Sequence, residues 1–269
     1  MNEQRPRLGG MALANGLLVH GPAHWAAAVR ETDGSITVRS GPKPRFSAGP
    51  VTRLPLIRGV VRLAEAMAVL PAVRKGLPQA RFAMEERGAP IGIVTALVAG
   101  MVVRRNVRSP LAQEAAAAVL GLMPAVISLA GSRAAVWHAV EHKSIAAYEE
   151  DGPRGVDNAA AQPKEHIRCG SNLVMPLLVS TAVTNLASRR LLGRAGPVTR
   201  AVAAVASAGV AVEWFAFAHR HPSNPLSKAV HASGHLIQAK LATREPDSDD
   251  LQVGGAAMRA LFAAEGIGD

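Results

Sequence analysis

Four apolar stretches without lysine, arginine or aspartate constrain this chain more than any other feature. They are residues 91–103, 115–131, 173–187 and 201–218, and Glu213 is the one acid among them. Crossing the ~30 Å hydrocarbon core of a bilayer takes ~20 apolar residues, with ~17 a practical minimum. The second and fourth stretches reach that length if small polar Ser and Thr are tolerated. The first and third need flanking residues, arginine snorkelling or local thinning. A soluble bundle with buried core helices satisfies the same hydropathy, and the mean hydropathy of +0.15 is low for a polytopic protein. A polar N-terminal segment of 88 residues dilutes that mean, and glycine and alanine within the stretches favour the close helix approach of membrane bundles. The expected fold is mainly α: a polytopic helical membrane protein with about four apolar helices in two hairpins, a small N-terminal β unit and an amphipathic helix.

The formal charge of +10 is segregated from the apolar mass. Residues 1–88 carry 13 Lys+Arg against 6 Asp+Glu, and the short connections 104–110 and 188–200 hold three and four arginines. Arginine-rich loops argue for a cytoplasmic face, but the N-terminal segment is basic too, so the charge rule does not orient the chain. Aromatic residues make up 3% of the sequence and no nucleic-acid motif is present, so nucleic acid is not an expected partner. A single cysteine excludes an internal disulfide framework and a cysteine-only metal site.

Two regions are expected, 1–88 and a helical membrane domain 89–269 that includes a polar loop 132–171 and a C-terminal tail 219–269. In the first, residues 11–19 form an apolar run, and Asp33-Gly34 between residues 25–30 and 35–39 is a strong two-residue hairpin signal. A Pro- and Gly-rich loop over 41–55 leads to residues 56–74, where apolar positions recur at helical spacing with Arg58, Arg62 and Glu65 between them. This amphipathic helix suits either an anionic lipid surface or a place over the β unit.

The residues that carry chemistry lie between the second and third apolar stretches. From Trp137 to Glu149 no glycine or proline interrupts the chain, which predicts a helix. His138 and His142, four apart, project from consecutive turns, and Glu141 borders the same stripe. This H-x-x-E-H order is the reverse of the zinc-peptidase helix. Two imidazoles bind Zn²⁺, a carboxylate from elsewhere completes the set, and the motif glutamate takes a proton from water. Glu213 is the expected third ligand, because a carboxylate in an apolar segment must be protonated, paired or metal-bound; an ion pair with Arg220 is the alternative. Glu149 lies ~16 Å along the helix from His138 and has a supporting, capping or loop-binding role. His166, Arg168 and Cys169 form a polar cluster entering the third stretch, where Arg168 would lower the thiol pKa. His231 and His235 are also four apart, with Gly234 between them weakening a helix.

Several of these residues resemble a known family. Glu141-His142-Lys143 with Ala147-Tyr148-Glu149, then His166-x-Arg168-Cys169-Gly170-Ser171, then Leu241-Ala242-Thr243-Arg244-Glu245-Pro246-Asp247 occur in that order in the YqhQ-like family, also called domain of unknown function 1385. Gly9-Gly10, Gly16, Gly21-Pro22 and Arg58-Gly59 resemble its N-terminal pattern, and the likeness spans roughly residues 8–262. The resemblance implies a multi-pass protein of the cell membrane and a metal-dependent enzyme of no established reaction. It places His138, Glu141 and His142 on the metal helix and Glu213 where the family tends to have a Tyr-Glu pair. This chain departs from the family at Met11, Asn15 and His20, where Gln, Glu and Arg are common, and at Ala242, where a threonine is common.

Two functions follow. The first is a membrane-embedded hydrolase, metallopeptidase-like, with a divalent metal (zinc by preference) on His138, His142 and Glu213, Glu141 as general base, and a membrane protein or peptide as substrate. The second is a non-catalytic membrane scaffold or assembly factor, in which the polar motifs, Arg244 and Glu245 among them, pack together as a structural cap.

Overall fold

The turn chemistry of the first 42 residues closes a four-stranded antiparallel meander. It comprises β1 (Gly9–Ala12), β2 (Gly16–His20), β3 (His24–Arg30) and β4 (Ile36–Pro42), in that spatial order. It belongs to a computed structural model that describes residues 5–46, 54–85, 88–129, 132–192 and 196–268. The Asp33-Gly34 hairpin forms as expected: Gly34 takes φ 88°, open to glycine at no steric cost, and Asp33 Oδ1 accepts from the Ser35 N–H at 2.9 Å. The single apolar run of residues 11–19 is instead two strands, turned where the Leu13 N–H donates to the Gly16 carbonyl at 2.9 Å. The run reads as continuous because both faces of the sheet are buried.

One face, through Leu17, Val19, Ala26 and Ala28, packs on α5 (Arg133–Asp151) and α9 (Ser248–Glu265). The other, through Leu18, Trp25, Ala27 and Val29, packs on α2 (Val69–Gly76). The expected amphipathic helix is therefore two: α1 (Ile57–Met67), followed by α2 beneath the sheet. The boundary expected at 88/89 does not separate packing units, since α9, from the far end of the chain, covers the N-terminal sheet. That tail is ordered by a capping box between Asp247 and Asp250, and Arg133 pairs with the buried Asp250 at 2.5 Å.

The apolar stretches lie in α3 (Gly88–Asn106), α4 (Pro110–Leu129), α6 (Val174–Leu192) and α7 (Pro197–Arg220). α3 packs on α4 and α6 on α7, giving two helical hairpins. Among the described residues one helix, Ala201–Arg220, is long and apolar enough to cross a membrane, with a mean hydropathy of 1.7. The apolar stretches in the other three are 13, 17 and 15 residues long. The ends of the second stretch (130–131), the middle of the second connection (193–195) and part of the 41–55 loop (47–53) lie outside the described residues. At the start of α4, Glu114 accepts from Asn185 at 2.9 Å and from Arg189 at 3.3 Å at the end of α6, which places both hairpin tips at the same end. The opposite end carries α5, the sheet, α8 (Pro225–Ile237), a π-helical turn (Gln238–Ala242) and α9.

Candidate metal centre

The helix predicted over 137–149 is α5, almost wholly buried between the sheet, α9 and a 3-10 segment, Gly152–Ala161. Its inward face presents His138 and His142 on successive turns, with ring centroids 4.3 Å apart. Each imidazole is fixed by a backbone carbonyl: His138 Nδ1 lies 2.9 Å from the Ala242 oxygen and His142 Nδ1 2.6 Å from the Lys164 oxygen. A carbonyl only accepts, so each Nδ1 carries a proton, and Nε2 is the atom each ring turns inward, able to offer a lone pair. His142 Nε2 is buried without a hydrogen-bond partner. His138 Nε2 stands 3.2 Å from Cys169 Sγ.

His138, His142 and Cys169 bring three donor atoms within 4.8 Å of one another. Two Nε2 lone pairs and a sulfur suit a tetrahedral zinc ion with one position left open, and carbonyls that orient ligating histidines are a usual feature of such sites. The donor set therefore fits a metal. Glu141 Oε2 lies 4.0 Å from His138 Nε2 and 3.8 Å from His142 Nε2, so the carboxylate stands beside the donors.

Burial sets the electrostatics. It pushes the Glu141 carboxyl above its ordinary range, with the nearby histidines and Arg168 opposing, and takes His142 down to about 3 with His138 assisting. His166 is lowered by the same cause. Burial also raises the Cys169 thiol to about 11, the reverse of the lowering expected from Arg168. That arginine is engaged elsewhere, in an ion pair with Glu149, which also faces His166 Nε2 at 3.2 Å. Glu149 thus joins Arg168 to His166 rather than reaching the donor atoms.

The cavity over these groups, about 190 Å³, is lined by His138, Glu141, His142, His166, Arg168 and Cys169, and by Leu8, Gly9, Gly10 and His20 of the N-terminal sheet region. Reading α5 alone misses this N-terminal wall; its visible signals are Gly9-Gly10 and the departure from the family at His20. Arg5 positions the approach by donating to the Glu149 and Glu150 carbonyls at 3.0 and 2.8 Å, at the C-terminal end of α5.

Glu213 is not part of this cluster. On α7 it accepts from Arg58 Nε at 2.7 Å and pairs with Arg58 Nη2 at 2.5 Å, so the third-ligand assignment and the Arg220 pairing both give way. Arg220 Nε donates instead to the Ala216 carbonyl at 3.1 Å. Among the described residues, Cys169 is the one grouped with His138 and His142 as able to hold an ion. Glu245 lies away from the cavity on the buried Lys143, at 2.6 Å, and the Arg244 N–H donates to the Ala135 carbonyl at 3.0 Å. His231 and His235 line a separate cavity with Asn172 and Gln238.

The profile of a family described as a protein of unknown function (DUF1385) matches residues 125–264, which include α5, Cys169 and all the elements that follow. The uncharacterized protein YqhQ of Bacillus subtilis (strain 168) is 23% identical over 316 aligned residues, covering 98% of this chain and 95% of that protein. No solved structure matches.

Proposed function

The chain belongs to the DUF1385 family, and from that premise, which brings no reaction with it, we propose a multi-pass membrane protein with a metal-dependent hydrolase site at one end of its helix bundle. The observation that carries this reading is the buried, unpartnered Nε2 of His142, aimed with His138 Nε2 and Cys169 Sγ at one point beside a carboxylate. Leaving a buried acceptor unmet costs about 1–3 kcal/mol, and a bound cation removes that cost. His138, His142 and Cys169 would hold the ion, with zinc the choice for a nitrogen and sulfur set. When bound, it supplies Lewis acidity at the reacting group.

Glu141 does the proton work. Its carboxylate takes a proton from the water whose oxygen attacks the substrate acyl carbon, and delivers it to the leaving nitrogen as the carbon–nitrogen bond breaks. The water thereby ends as the new hydroxyl on the acyl group and one hydrogen on the amine. His138 and His142 would not be free for this role, because on this reading their Nε2 lone pairs hold the ion while their Nδ1 protons go to backbone carbonyls.

The membrane reading is supported by apolar side chains that remain exposed on all four hairpin helices, among them Leu97, Val119, Val183 and Val202. Four spans would put the two arginine-rich tips on one side of the bilayer and the basic sheet region, with the site, on the other, so the charge bias is overruled on one face.

Metal analysis of the detergent-purified full chain tests the reading. About one zinc per chain is expected for the wild type, and loss of the ion for His142→Ala. A wild type without stoichiometric transition metal would sink it. The scaffold reading is favoured by one specific set of contacts. The buried Lys143 donates to the Ala160 and Gln162 carbonyls at 3.2 and 2.6 Å and pairs with Glu245, tying α5 to both polar motifs without touching the cavity. On that reading Glu141→Gln is silent in cells and Lys143→Met destroys the fold.

A further inference from the structure

The N-terminal wall of the cavity is a strand edge. β1 is the last strand on its side of the sheet, paired only with β2 through Gly9↔His20, Gly10↔Val19, Met11↔Leu18 and Ala12↔Leu17. The Leu13 N–H to Gly16 carbonyl bond fixes the phase of this ladder, because Leu13 and Gly16 continue the same register as a hydrogen-bonded pair. Alternate residues of an antiparallel strand bond to opposite sides. Gly9, Met11 and Leu13 therefore bond inward to β2, and Gly10 and Ala12 turn their N–H and C=O groups outward. Beyond Ala12 the outer edge is covered, since Leu13 bridges Phe82 and the Ala14 N–H donates to the Arg81 carbonyl at 2.7 Å. At Gly10, no hydrogen bond from the described residues meets the outward pair. That uncovered edge lines the cavity that holds His138, His142, Cys169 and Glu141.

We propose that this edge binds the substrate as an extended peptide, added antiparallel to β1 with its backbone paired to the Gly10 N–H and C=O. The inference rests on the hydrolase reading and gives it a substrate class. An outward donor and acceptor on one residue match a secondary amide of an extended chain, which supplies one of each. A lipid ester offers acceptors only and leaves the Gly10 carbonyl unmet. Gly9 and Gly10 have no side chains to obstruct the approach, and Gly10 sits against Glu141, so a peptide bond next to the paired residue comes under the carboxylate.

The test uses the full chain in nanodiscs and dansyl-labelled hexa-alanine carrying a terminal diazirine, compared with its fully N-methylated analogue. Binding is read by fluorescence anisotropy, sites of attachment by mass spectrometry after illumination, and zinc content on the same sample. The unmodified peptide is expected to bind at least about tenfold more tightly, the effect of losing one or two backbone hydrogen bonds, and to crosslink within residues 5–12 and 138–142. Equal binding of the two peptides, no binding of either, or crosslinks confined elsewhere overturns the proposal. Selective binding with those crosslinks in a protein that holds no stoichiometric metal supports the peptide edge and removes the hydrolase. A zinc-loaded protein blind to N-methylation does the reverse.

Discussion

A Cβ placed on Gly10 would stand 2.5 Å from Glu141 Cγ and 2.6 Å from its Oε1, so the edge strand of the sheet sets where the carboxylate of α5 can lie. Sheet and helix are far apart in sequence, and this contact joins the N-terminal wall of the cavity to its reactive side.

Gly10→Ala is accordingly expected to push Glu141 aside and to destabilise the chain by about 1–3 kcal/mol, the range for overpacking a filled interior. The strain is specific to one pair, so Glu141→Ala in the same chain should recover most of the loss. Denaturation of both single variants and the double variant in detergent measures the coupling. Additive effects would show that the two residues do not press on each other.

The ligand assignment makes a separate claim. Cys169→Ala and His142→Ala are expected to abolish zinc retention, and the cobalt-substituted wild type should show a thiolate-to-metal charge-transfer band that Cys169→Ala removes. Glu213→Gln should retain metal, because Glu213 is committed to Arg58. Metal loss in Glu213→Gln equal to that in His142→Ala would return Glu213 to the site.

What could be read from sequence was local. The uninterrupted 137–149 segment announced α5 and its histidines, and Asp33-Gly34 announced the β3–β4 hairpin, because helical period and turn chemistry act over a few residues. Glu213 shows the limit: an acid in an apolar stretch needs a partner, but the sequence does not say that it is Arg58, 155 positions earlier. α9 was hidden for two reasons. Gly254-Gly255 interrupts its centre, and the sheet that buries its apolar face lies at the other end of the chain. Cys169 was visible as a polar neighbour of Arg168, but its closeness to His138 depends on how residues 152–168 return along α5.

The pH dependence of stability follows from His20, which lines the cavity with Lys43 Nζ 3.3 Å from its Nδ1. Burial first, and Lys43 second, lower its pKa from 6.5 to about 4. Between those values the unfolded chain binds a proton that the folded chain does not. Stability is therefore fully present above about 6.5 and is lost as pH falls toward about 4. The lowered His142 acts with the same sign and extends the loss to lower pH. His20→Gln removes one of these protons, so the drop in melting temperature between about pH 7 and about pH 5 should be smaller than in the wild type. An unchanged drop would mean that His20 is solvated.

Both hairpin tips lie at one end of the bundle because Glu114 on α4 holds Asn185 and Arg189 on α6. If all four helices span, a cysteine at Val107 and one at Gly196 must share a side of the membrane, and one at Asp33, in the β3–β4 turn, must face the other. The chain has one native cysteine, buried Cys169, so the series is built on Cys169→Ser. A membrane-impermeant maleimide applied to intact cells should label either both tips and not Asp33→Cys, or Asp33→Cys and neither tip; lysed cells should label all three. Either pattern also fixes which face carries the cavity, since the sheet and the histidines are at the same end. Labelling of one tip without the other would show that only one hairpin crosses. In that case the apolar surfaces of the remaining helices are covered by something other than lipid.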